Sequence, residues 1–129
     1  MIARAFLVWL LMMVAETIHG VLRKMFLAPL VGDFRARQIG VFIGSLLILG
    51  IATALIAWIR PTSIQALTGI GAMWLALTLA FEFGLGLALG RPWEAMLADY
   101  DLTQGGLLSI GMVVLALSPW IAAEIRKND

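Results

Sequence analysis

Two acidic side chains and one histidine stand where a soluble protein would keep them in water and this chain surrounds them with apolar residues. Glu16 and His19, in Ala15-Glu16-Thr17-Ile18-His19, are three residues apart, and Arg23 follows four residues later, so a helix carries all three on one face. Thr78, Glu82 and Gly86 repeat the arrangement further along the chain. Carboxyl, imidazole and guanidinium groups in apolar surroundings can take up protons or hold a polar ligand, or they can pair with one another as polar glue between helices. A charge at the centre of a membrane helix costs about 2.5 to 3.5 kcal/mol on insertion scales, so both glutamates are expected to face inward, away from lipid. The expected pocket is Glu16, His19, Arg23, Thr78 and Glu82, with Arg35, Arg37, Gln38, Arg91, Asp99 and Tyr100 as polar partners near its mouth.

Other chemistries fit less well. Glu16 to His19 has the Glu-x-x-His spacing of di-metal four-helix bundles, with Glu82 as a conceivable third ligand, but a full site needs a second histidine and the chain has one. No metal or other cofactor is predicted. Gly84, Gly86 and Gly90 lie in an apolar helix rather than after a strand, which rules out a dinucleotide loop and suggests close packing through Gly86 and Gly90. No serine stands in a motif that marks a nucleophile, and the absence of cysteine excludes thiolate chemistry and disulfides, so no catalytic residue is assigned.

The elements that position these residues follow from composition. With 62% hydrophobic and 13% charged residues and a mean hydropathy of +1.00, the chain lacks the polar residues to coat a soluble domain. A net charge of +1 offers no basic surface for nucleic acid. Segments of about 20 apolar residues are needed to cross a bilayer, and the chain supplies them at roughly 2–22, 39–59, 67–89 and 107–125. The expectation is a single all-α domain, a four-transmembrane-helix bundle in which helices two and four are apolar cladding. No small-x-small cleavage site follows the first apolar run, so it reads as a retained span rather than a signal peptide.

Between the first two spans, Pro29, Gly32 and Asp33 predict a broken interfacial loop over Arg23 to Gln38. After the third, Pro92 opens a short helix whose Trp93, Met96, Leu97 and Tyr100 predict a face lying flat on the membrane. Four spans put both termini on one side with Arg4, Arg60, Glu124, Arg126, Lys127 and Asp129. The opposite side and its helix ends hold six of the eight acids and the histidine. Lysine plus arginine divide four against five, so the orientation favouring cytoplasmic termini rests on arginines of the first loop engaging the inner acids. Glu16, Gly20 and Arg23 against Glu82, Gly86 and Arg91 form a short internal repeat, consistent with helices one and three holding their carboxyls at similar depth.

Two likenesses extend this reading. Ala15-Glu16-Thr17-Ile18 with Lys24 resembles the first helix of the small multidrug resistance transporters, and implies a membrane glutamate that binds proton and substrate in turn. The likeness covers about ten residues and ends with that helix. More broadly, Ala36-Arg37-Gln38 and Leu77 to Gly86, followed by Trp93, Leu97 and Asp99-Tyr100, resemble uncharacterised bacterial four-span membrane proteins, which implies a bacterial inner membrane and no particular activity. The expected partners are the lipid bilayer and a second copy or other membrane subunits. The functional readings are a solute or proton site, a non-catalytic scaffold, or an enzyme acting on lipid.

Overall fold

The structure, a computed structural model, describes residues 1–127; Asp129, counted above with the terminal charges, lies outside them. Helix α1 spans Ile2–Leu22 and continues through a widened π-helical turn, Arg23–Leu27, into α2, Ala28–Val31. Then come α3 (Asp33–Ile59), α4 (Ile64–Ala88), α5 (Trp93–Ala98), a 3-10 turn (Leu102–Gln104) and α6 (Leu108–Lys127). Ile2–Val31, Asp33–Ile59, Ile64–Ala88 and Leu108–Lys127 are each long and apolar enough to cross a membrane, and at most 28% of the most apolar stretch of each is buried inside the protein. The outward side chains are apolar, as a bilayer solvent requires, and helices satisfy their own backbone. The chain has the architecture of an all-α multi-pass membrane protein.

The stretch 23–38, expected as a loop, is almost wholly helical. A proline ring clashes with the carbonyl four residues earlier in a regular helix, here that of Met25. The widened turn absorbs the misfit, with the Ala28 N–H donating to the Arg23 carbonyl five residues back. Only Gly32 breaks the run, at φ 91°, a conformation that favours glycine, and α3 begins at once with Asp33 in its first turn. Pro119 is also carried inside a helix, α6. Its missing N–H deprives the Leu115 carbonyl of its usual partner, and the Ser118 hydroxyl donates to that carbonyl at 2.7 Å instead.

The long helices form a ring in the order α1, α3, α6, α4, with α3 against α6 the most extensive pairing and α1 against α4 the least. At Gly71 of α4 the backbone of α6 approaches so closely that a β-carbon would strike the Ala116 carbonyl. Two indoles tie α1 to α4: Trp74 donates to the Ala5 carbonyl and Trp9 to the Thr78 hydroxyl, both at 2.9 Å. These tryptophans are buried, unlike Trp58, Trp93 and Trp120 at the surface, because an indole N–H inside a membrane needs an acceptor. Around them Val8, Met12, Ile56, Ile59, Ile70 and Ala122 fill the half of the bundle nearest the termini.

The opposite half is closed less tightly. Helix α5 turns Met96 inward, where it is 3% exposed and occupies the space a side chain at Gly86 would need, while Trp93 and Leu97 face outward. Tyr100 turns inward and stacks on Phe83, with ring centroids 5.3 Å apart. Gly90 does not pack between helices but ends α4, at φ 77° with open space around it.

Candidate functional site

Glycines of α3 make room for the charged face of α1. Ala36, Gly40, Gly44, Ile48, Ala52 and Ile56 recur every four residues and are buried, small toward the loop side and mostly larger toward the termini. A β-carbon at Gly44 would sit 2.8 Å from Glu16 Oε2, and one at Gly40 would sit 3.0 Å from Arg23 Cδ and 3.5 Å from His19 Cε1. Thus Glu16, His19 and Arg23 share one face as their spacing predicts, but the helix they lie against is α3. The reading of the second span as cladding is corrected. The small-x3-small spacing of Gly40 and Gly44 was the available signal.

These side chains line a cavity of about 420 Å³. Glu82 and Thr78 enter its wall from α4, Ser45 and Gln38 from α3, and Tyr100 and Asp99 from the segment after α5. Its floor is apolar, with Met13, Ile48, Met112 and Leu115. The two indole hydrogen bonds fix the relative height of α1 and α4, since both join residues 69 apart, whereas Glu16 and Glu82 are 66 apart. Glu16 therefore lies about 4.5 Å nearer the loop side than Glu82, and the internal repeat does not place equivalent residues level.

The arginines at the mouth are engaged elsewhere. Asp99 Oδ2 accepts from Arg37 Nη1 at 3.1 Å and from Arg91 Nη1 at 3.0 Å, while Arg37 Nε donates to Asp33 at 3.0 Å. Gln38 donates to the Gly105 carbonyl at 2.8 Å, and the Thr78 hydroxyl is held by Trp9. Arg35 is exposed and outside the cavity lining, so it is not a partner of the inner acids. Asp101 also stays outside the cavity, accepting from the Thr103 backbone and hydroxyl.

What remains is a set of polar groups with little to satisfy them. The closest charged contact of Glu16 is His19, with Nδ1 3.8 Å from Oε2, and among the described residues neither Glu16 nor Glu82 forms an ion pair with arginine or lysine. Glu16 Oε1, His19 Nε2 and the Tyr100 hydroxyl are buried atoms without hydrogen-bond partners. Among the described residues no charged residue is fully buried, however: the side chains of Glu16 and His19 are 22% and 13% exposed. The expected buried site is thus a partly open one. Burial, with the Glu82 and Asp99 carboxylates adding to it, pushes the Tyr100 hydroxyl well above the usual phenol range, so it stays protonated. Among the described residues no three His, Asp or Glu side chains come together as a metal-ligand set, so the Glu-x-x-His spacing does not build one.

Fold and site together define an all-α multi-pass membrane protein with a mostly apolar cavity in one half of the bundle, into which a few polar side chains project. Comparison with protein families, with curated proteins and with solved structures finds no match to this chain.

Proposed function

We propose that the chain binds a small polar ligand or protons in this cavity and exchanges them with the side of the membrane that carries α5. One observation carries the reading: Glu16 and Glu82 line the space without an arginine partner, although Arg37 and Arg91 border the same space and both pair with Asp99. If the inner acids served only as glue, the neighbouring guanidiniums would be expected on them, because a polar group in a membrane interior is costly until paired. The likeness of the Glu16 segment to small multidrug resistance transporters belongs to this proposal, as do a bacterial inner membrane, cytoplasmic termini and assembly into an oligomer. A scaffold role draws support from the Arg37, Asp99 and Arg91 cluster, which ties α3 to the segment following α4.

Purified protein in liposomes under an imposed pH gradient separates the two. Glu16→Gln and Glu82→Gln are expected to abolish pH-dependent flux while the variants elute and melt like the parent. Flux that survives both substitutions counts against a carrier and favours the scaffold.

A further inference from the structure

The cavity has a side opening. Thr17 and Val21 of α1, Leu85 of α4 and Leu89 just past its end are exposed on the outer surface of the bundle, yet they border the same space as Glu16 and Arg23. The α1–α4 seam accounts for this. Both hydrogen bonds across it, from Trp9 and from Trp74, lie in the half nearest the termini, and among the described residues no hydrogen bond or ion pair joins the helices beyond Thr78. Above that point α1 leans on the glycines of α3 and leaves α4 to Met96. A hydrocarbon chain in the bilayer would meet an apolar slot between Val21 and Leu85, with charged groups directly behind it.

The charge behind the slot is specific. Arg23 lines the cavity, lies along Gly40, and among the described residues forms no ion pair, while Arg37 and Arg91 converge on a single oxygen of Asp99. The Arg23 side chain folds back along α1 to lie beside Gly20 and Gly40, which puts its guanidinium about one helical turn, roughly 6 Å, from Glu16 toward the loop side. A guanidinium there suits a phosphate, which it can meet with paired donors. The orphaned Glu16 carboxyl, His19 imidazole and Tyr100 hydroxyl can then serve the hydroxyl or amine groups that headgroups carry.

We propose that the cavity takes a phosphate-bearing amphiphile from the bilayer, with its phosphate at Arg23 and its chain in the slot between α1 and α4. This rests on the reading of the cavity as a ligand site and names the class of ligand. The test is native mass spectrometry of the full chain in detergent, titrated separately with phosphatidylglycerol, diacylglycerol and glycerol 3-phosphate. Phosphatidylglycerol is expected to bind best, because only it offers both chain and phosphate. Arg23→Gln should weaken it by about tenfold or more, the loss expected for one charge-assisted contact, whereas Arg35→Gln, at a similar level but outside the cavity, should not. Val21→Trp and Leu85→Trp fill the slot from two sides and should each weaken phosphatidylglycerol while sparing glycerol 3-phosphate. Equal losses in the two arginine variants, glycerol 3-phosphate binding as tightly as the lipid, or indifference to both tryptophans would each overturn the proposal. Glu-dependent flux in a protein that ignores phosphatidylglycerol overturns this inference alone; absence of both overturns the functional reading with it.

Discussion

The same substitution at two glycines should have opposite consequences. At Gly71 an alanine β-carbon would collide with the Ala116 carbonyl, which belongs to the backbone of α6 and can retreat only if the helix moves. Overpacking of that kind costs about 1 to 3 kcal/mol, more than the roughly 0.5 to 1 kcal/mol that alanine gains over glycine in a helix. At Gly44 the new carbon would sit 2.8 Å from Glu16 Oε2 and 3.1 Å from Oε1, so the obstacle is the tip of a flexible side chain. A shift of several tenths of an ångström into the cavity relieves it, at an energy of about the alanine gain, roughly 1 kcal/mol. Gly71→Ala should therefore lower the melting temperature in detergent, while Gly44→Ala leaves it near the parent value and alters flux or ligand binding by moving the Glu16 carboxyl. If Gly44→Ala melts as early as Gly71→Ala, the argument that the Glu16 tip can move aside is refuted; if it binds and transports as the parent does, the close seating of Glu16 on α3 is refuted.

Ser118→Ala should destabilise the protein by about 1 to 2 kcal/mol, because the Leu115 carbonyl then faces Pro119 with no donor in an apolar surrounding; restored stability in the double variant Ser118→Ala/Pro119→Ala would identify the proline as the reason. Tyr100 is the chain's one tyrosine, so its ionisation can be followed by ultraviolet absorbance alone. Its folded phenol should remain protonated past the pH of about 10 at which unfolded tyrosine titrates. The unfolded state then binds fewer protons than the folded one, so this group leaves stability unchanged below that pH and reduces it above. Titration at the ordinary value would show Tyr100 to be outside the cavity.

Apolar length was enough to read the spans, since lipid demands it, and the i, i+3, i+7 spacing was enough to put Glu16, His19 and Arg23 on one face. The partner helix was not legible by the same route. Acidic residues mark α1 and α4, whereas the site is also shaped by Gly40 and Gly44 of α3, which contribute space and no functional group. Proline and glycine between Arg23 and Gln38 read as breakers because a regular helix cannot accommodate Pro29; a π-helical turn can, and no local composition signals it. Tyr100 was grouped with the membrane-facing residues of α5 by periodicity, but α5 ends at Ala98 and the chain turns before reaching it. Arg37, Arg91 and Asp99 were all expected near the mouth; that both guanidiniums settle on Asp99 and not on the inner acids depends on the tertiary approach of α3 to the segment after α5, which spacing does not show.

The indole bonds from Trp9 to Thr78 and from Trp74 to Ala5 also set an order of assembly. Each spans 69 residues, so at about 5 to 20 residues per second the first helix waits roughly 3 to 14 seconds for its partner to be synthesised. During that interval α1 can pack against α3, since only the π-helical turn, α2 and Gly32 lie between them, while the Trp9 N–H has no acceptor on α4. A helical hairpin of α1 and α3 can therefore form first; the third span brings the partners of both indole bonds, and α6, which packs between α3 and α4, closes the ring last.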